Sequence, residues 1–410
     1  MPATAARSSG SRNGQPAAGR LGPRAVLRRL ALGTAGAALA PGLLQACGSG
    51  ADGGSDGNGS DGNGGCGGGG GRRLTISSFP LYIDPDQPGR PGSVSRFQQQ
   101  TGIRLRYLED INDGRQFFAR LQPQLAAGRP VAQDLVVLTA WMAERLIRLG
   151  WLDPLPLAEV PNARHLSPSL RNPPWDPAGR FSLPWQTGIA GIAYNIKATG
   201  RELRSVDDLF DPALRGRVSA LLEMRDTMGL LMLADGHDVT RPTWAAAQGA
   251  FKRLERARRN GQIRRFTGND YQNDLLAGNL AACIGWSGDV AQLAREQPDL
   301  RFLVPESGGM LWADLMLMPR GAPHRQEAAA WLNWVYDPPE AARIAASVQY
   351  ISPVEGVQRI LAKDPATAAM ARSPLMFPDA AMRERLHSFG PLSEAEEARW
   401  EERFAAITEL

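Results

Sequence analysis

From Leu74 onward, short apolar runs alternate with stretches of helical periodicity. "LTISSF" (74–79) has the pattern of a strand, and "SVSRFQQQTG" (93–102) that of a helix closed by Gly102. "IRLRYLE" (103–109) alternates apolar and polar positions as a half-buried strand does. "GRQFFARLQPQLAAG" (114–128) has helical spacing, with an interruption expected at Pro123 because proline lacks the N–H a helix needs. "DLVVL" (134–138) predicts a short buried strand, and "TAWMAERLIRLG" (139–150) the helix after it. Further on, "FSLPWQTGIAGIAYN" (181–195) predicts two short strands with small residues between them. "RVSALLE" (217–223) reads as a strand entering a helix, "LAACIGWSGD" (280–289) as a strand ending in a turn, and "PEAARIAASVQY" (339–350) as a helix. Repeated β–α–β order implies a mostly parallel sheet covered by helices, with ligands gathered at the carboxyl ends of the strands.

Within this pattern "GGMLWADLMLMP" (308–319) is almost wholly apolar, yet Asp314 sits in it. A buried, ionised carboxylate is costly unless a partner replaces its water, and the nearest basic residue in sequence is Arg320, beyond Pro319. Three more carboxylates, Glu223, Asp226 and Asp289, fall at expected strand ends, with six aromatics: Phe79, Tyr82, Trp141, Trp286, Trp312 and Tyr350. An aromatic face attracts an ammonium by ~0.5–2 kcal/mol, and a carboxylate adds a charge-assisted hydrogen bond. An apolar slot tipped with acids therefore suits a flexible diamine or triamine. Each acid also has a purely structural alternative. Asp314 could cap a turn or pair with an arginine, Asp226 could complement a helix dipole, Glu223 could pair with Arg225, and Asp289 stands at an ordinary turn position.

Composition narrows the remaining classes. The 410 residues, 43% apolar, suffice for two packed lobes. The net charge of +4 is concentrated in residues 1–71, whose six Arg and three Asp give +3. That leaves about +1 for the rest and no basis for nucleic-acid binding. The four His, at 165, 237, 324 and 387, lack metal-ligand spacing. "GWSGD" around Ser287 lacks the second glycine of a nucleophile elbow, and no phosphate-binding loop is present. Neither an enzyme nor a bound cofactor is expected.

The first 46 residues read as an export signal: Arg24, Arg28 and Arg29 precede a short apolar stretch from Leu30 to Ala46. "LLQACGSG" resembles a bacterial lipobox, which implies cleavage before Cys47, lipidation of that residue and anchoring at the outer face of the cell membrane. "LRRLAL" is similar to a twin-arginine signal, leaving either export route open. Residues 47–71, rich in Gly, Asp and Ser, are expected to form a tether. With Cys66 in the tether and Cys283 in an apolar run, no structural disulfide is expected.

The blocks "SSFPLYIDP", "QDLVVLTAW", "RVSALLEMRD", "IGWSGD", "GGMLWADLMLMP" and "QYISPVEGV" together resemble the spermidine/putrescine-binding proteins of polyamine ABC importers. The resemblance runs from about Leu74 to the C-terminus. It implies a two-lobed α/β fold of the type II periplasmic-binding-protein kind, with a ligand cleft between hinge-linked lobes. The lobes would be 72–191 plus 313–357, and 192–312 plus 358–410. It further implies a monomer that delivers cargo to permease subunits served by a separate ATPase. Carried over by position, the binding aromatics fall on Phe79, Tyr82, Trp141, Trp286, Trp312 and Tyr350. The acids fall on Asp314, Asp226, Glu223 and Asp289, and a hydroxyl on Thr139. The first block departs from the family's Asn-Trp-x-x-Tyr, since Phe79, Pro80 and Leu81 make it less polar here. The alternatives are the same fold with a quaternary amine, a thiamine-like cation or an opine as cargo, or a lipoprotein sensor that transports nothing.

Overall fold

A computed structural model describes residues 72–410. The expected signal, the lipidation site Cys47 and the tether lie outside the described residues. Eleven strands occur among those residues: β1 (Arg73–Ser78), β2 (Arg104–Glu109), β3 (Leu135–Thr139), β4 (Leu152–Asp153), β5 (Ser182–Asn195), β6 (Val218–Leu221), β7 (Ile263–Thr267), β8 (Ala282–Trp286), β9 (Leu300–Leu303), β10 (Gly309–Pro319) and β11 (Leu386–His387). The main path runs β2-β1-β3-β10-β5-β8-β6-β7. At each end three strands pair in parallel, β1 with β2 and β3, and β6 with β7 and β8. Between them β5 and β10 pair antiparallel with each other, with β10 also antiparallel to β3 and β5 to β8. Helices pack on the sheet, so the class is α/β, as expected, but the sheet is mixed rather than mostly parallel, because β5 and β10 run antiparallel to the neighbours they join.

The 181–195 segment differs from its expectation. It forms one strand of 14 residues, β5, buried throughout its length. Its small residues mark close approaches rather than a break. A Cβ at Gly188 would lie 2.2 Å from the Trp312 ring, and one at Gly191 would lie 2.4 Å from the Leu303 carbonyl oxygen. Pro123 likewise fails to interrupt its helix, which runs Gly114–Ala126. The helix runs on past the proline without the bond its nitrogen would have donated to the Ala119 carbonyl. The turn expected after β8 is instead the first turn of a helix, Ser287–Leu293.

Two apolar clusters hold the molecule together. The first joins β1, β3 and the helices over 114–126, 140–148, 325–335 and 338–348. The second joins β6, β8 and the helices over 224–234, 244–259 and 394–408. The long strands pass from one to the other: Leu183 and Trp185 belong to the first and Ala190 and Ile192 to the second, while Met310 belongs to the second and Leu315 to the first. Of the return segment, Leu361, Ala371 and Met376 pack into the first cluster, and Phe389, Leu392, Trp400, Phe404 and Ile407 into the second.

Candidate ligand-binding site

Trp286 and Trp312 pack against both clusters, which places them at the seam. Trp286 ends β8 and Trp312 lies within β10, and both strands pair with β5, at Ala190 and Gly188, which brings the two together. Their rings meet edge-to-face, with centroids 6.4 Å apart. From Trp312 the contacts continue to Tyr350 at 5.4 Å, from Tyr350 to Tyr82 at 5.2 Å, and from Tyr82 to Phe79 at 5.7 Å. Five of the six expected aromatics thus form one continuous edge-to-face series, an arrangement their quadrupoles favour. Glycine makes it possible. A Cβ at Gly188 would also meet Tyr350 at 2.8 Å, and one at Gly288 would enter the Tyr350 ring at 2.5 Å.

Asp314 lies in this series at 3% exposure. Its Oδ2 accepts a hydrogen bond from the Tyr82 hydroxyl at 2.6 Å, whereas its buried Oδ1 has no partner. Antiparallel pairing sets Asp314 directly opposite Thr139 of β3, whose buried hydroxyl is also without a partner. The Trp312 indole N–H is a third such group. No Arg, Lys or His among the described residues forms an ion pair with Asp314. Burial pushes its carboxyl up to about 7, against the Tyr82 bond and with repulsion from Glu223 and Asp289 adding to the rise. A capped turn or an arginine pair therefore does not account for Asp314.

Asp226, in the first turn of the helix Met224–Ala234, accepts from the Trp286 indole N–H at 2.8 Å. Burial, and then the neighbouring Glu223, holds its carboxyl well above the ordinary range. Glu223 caps that helix by accepting the Arg225 backbone N–H at 3.2 Å. Its second oxygen accepts from the Trp141 indole at 3.2 Å, and burial raises its carboxyl too. Four carboxyl groups are thereby brought close enough to disturb one another.

Two expected residues are placed differently from the rest. Asp289 is fully buried, and its oxygens are already occupied. Oδ1 accepts from Tyr350 at 2.6 Å, and Oδ2 accepts from Tyr271 at 2.8 Å and from Gln272 at 2.6 Å. Burial still pushes its carboxyl up to about 6. Trp141 stands apart from the aromatic series, and its ring is covered by protein cations: the Arg225 and Arg145 guanidiniums lie 4.1 and 5.2 Å from its centroid. Tyr271, Gln272 and Arg225 had no signal as site residues, because "YQNDLL" reads as an ordinary helix and Arg225 as a partner for Glu223. No three His, Cys, Asp or Glu side chains among the described residues are grouped so as to hold a metal ion.

Residues 93–378 match the model of the family described as bacterial extracellular solute-binding protein. The spermidine/putrescine-binding periplasmic protein 1 of Haemophilus influenzae is 24% identical over 297 residues, covering 72% of this chain and 79% of that one. The putrescine-binding periplasmic protein PotF of Escherichia coli is 29% identical over 336 residues, covering 77% and 85%. Among solved structures, the substrate-binding protein PotD of the spermidine/putrescine ABC transporter of Streptococcus pneumoniae superposes with a TM-score of 0.65 at 20% identity, over 82% of this chain and 99% of that one. With the family match spanning well over half of its length, the chain belongs to the bacterial extracellular solute-binding proteins, and its fold is their two-lobed one.

Proposed function

We propose that the protein is the cargo-binding component of an ABC importer, and that its cargo is a polyamine of the putrescine/spermidine class. The observation that carries this reading is Asp314, a buried carboxylate with one oxygen unpartnered, set among aromatic rings with no protein cation to neutralise it. A ligand ammonium supplies the missing charge and hydrogen bond. A second ammonium fits the Asp226–Glu223 pair, while Phe79, Tyr82, Trp286, Trp312 and Tyr350 cover the methylene groups between. Thr139 offers its free hydroxyl to the first ammonium. Asp289 acts through Tyr350, fixing that ring by the bond between them. Relatives named for putrescine or spermidine support the same cargo class.

In this reading the lobes are the halves built on the two clusters, and cargo touching both shifts the population toward the closed state. The closed form docks on permease subunits served by a separate ATPase. The lipobox-like "LLQAC" supports tethering through Cys47 on the outer face of the membrane; no helix among the described residues is long and apolar enough to cross it.

The test is a thermal-shift titration with putrescine, spermidine and agmatine against choline, thiamine and 4-aminobutyrate. A cargo present at a hundred times its Kd adds about 2.7 kcal/mol to stability, so a clear rise with the amines alone is expected. A rise with choline or 4-aminobutyrate and none with the amines would overturn the cargo class.

A further inference from the structure

The cover over Trp141 is an organised structure. Arg225 comes from the helix Met224–Ala234 and Arg145 from the helix Ala140–Arg148, so the two guanidiniums reach the same indole from different lobes. Both are held by Glu397 of the C-terminal helix Glu394–Thr408. Arg225 donates to Oε1 at 2.5 Å, and Arg145 lies 3.0 Å from Oε2. Arg145 also bonds Glu401 at 2.8 Å, and Arg148 reaches Glu397 at 3.4 Å. Three guanidiniums thus meet two carboxylates, which leaves one positive charge in excess. The groups nearest the indole are well shielded, with Arg225 at 11%, Arg145 at 16% and Glu397 at 9% side-chain exposure, so solvent screens them weakly.

The stack adjoins the proposed cargo site directly. Trp141 donates to Glu223, the charge of Glu223 raises the carboxyl of Asp226, and Asp226 bonds Trp286 in the aromatic series. A chain entering along the aromatic series therefore meets the acids first and the guanidinium-covered indole beyond them.

We propose that the Arg225–Trp141–Arg145 stack, held by Glu397, is the specificity wall of the cargo site, closing it beyond Glu223 with positive charge and restricting the cargo to a compact dication. The proposal rests on the polyamine reading and names the member of that class. A diamine places its two ammoniums on Asp314 and on the Asp226–Glu223 pair. A triamine carries a third positive charge past Glu223 against the guanidiniums, and like charge there counts against it. The indole cannot attract that third ammonium, because protein cations already occupy its ring.

The test is isothermal titration of the purified protein with putrescine and with spermidine, each run on the wild type, Arg225→Gln and Glu397→Gln. The wild type is expected to favour putrescine by about tenfold or more. Arg225→Gln removes a positive charge and should narrow that ratio by at least about fivefold. Glu397→Gln releases both guanidiniums from their shared anchor and should narrow it as well, whereas a general loosening of the fold would weaken both amines alike and leave the ratio unmoved. Should one variant fail to fold, the other decides. Wild-type preference for spermidine, or a ratio unmoved in the folded variants, overturns the wall while leaving the polyamine reading intact. Failure of both amines to bind the wild type removes that reading, and the wall with it.

Discussion

At Asp314 the cost of a buried charge and the gain from a cation meet in one carboxyl group. Its Oδ1 is unpartnered and its only bond is to the neutral Tyr82 hydroxyl, so the cargo-free protein bears an uncompensated charge whenever the group is ionised. Asp314→Asn should therefore weaken putrescine binding by ~2–5 kcal/mol, the usual cost of losing one member of a buried charge pair. Its melting temperature without cargo should stay level or rise. Calorimetric titration with a parallel melt separates the two effects, and a falling melting temperature with unchanged binding would make Asp314 structural.

The same group sets a pH dependence. Burial raises the folded-state carboxyls of Asp314 to about 7 and Asp289 to about 6, both above their ordinary value of 3.8. The native chain then holds more protons than the unfolded one between those values, so this contribution to cargo-free stability is complete below the ordinary carboxylate range and is lost as pH rises toward 7. Cargo requires the ionised form, so putrescine affinity should climb from pH 5 to about 7 and then level off. In Asp314→Asn the climb should flatten. Titrations across that range check it, and an affinity independent of pH would count against a proton leaving Asp314 on binding.

Among the elements, the sequence pattern located β1, β2, β3 and β6 to within a residue or two and β8 inside a longer run, because their apolar runs are bounded by clear turn and helix signals; β7, whose "IRRFT" carries two arginines, gave no such run. Residues at strand ends were legible for the same reason, and five of the six aromatics marked there do meet. What the pattern hid was long-range. The sequence of β5 reads as two strands because Gly188 and Gly191 look like a break, whereas Trp312 and Leu303 take up the space their side chains would need. The cover over Trp141 depends on Glu397, 256 positions away along the chain, and no local signal could announce it. Gly188→Ala gives an element-level prediction. Its Cβ would meet backbone-held rings of Trp312 and Tyr350, so overpacking should cost ~1–3 kcal/mol and displace the aromatic series. Urea denaturation should show the loss and titration a matching fall in putrescine affinity. Unchanged stability would mean that the rings can retreat without cost.

At the scale of the whole molecule, polar contacts span the seam, among them the Trp141–Glu223 and Tyr350–Asp289 bonds. Asn112 accepts at its carbonyl from the Asn269 backbone N–H at 3.0 Å, Gln292 donates to the Leu81 and Val348 carbonyls at 3.1 and 3.0 Å, and Arg145 meets Glu397 and Glu401. Only β5, β10 and the return segment near β11 carry the chain across. A structure joined in this way can open about its crossing strands while each apolar cluster stays intact, which is what hinge closure requires. Small-angle scattering should accordingly show the protein becoming more compact when putrescine is added. An identical profile with and without saturating cargo would argue against a hinge. The fold class could be read from element order. The division of the return segment could not, since 358–378 and 389–407 carry similar apolar patterns and only packing shows that they join different clusters.

The most direct measurement is a crystal structure of the protein grown with putrescine, read at one atom. The account predicts an ammonium within hydrogen-bond distance of Asp314 Oδ1, roughly 2.7–2.9 Å, with the methylene chain against Trp286, Trp312 and Tyr350. Cargo bound elsewhere, or Asp314 Oδ1 paired with a protein group in the bound state, would contradict it.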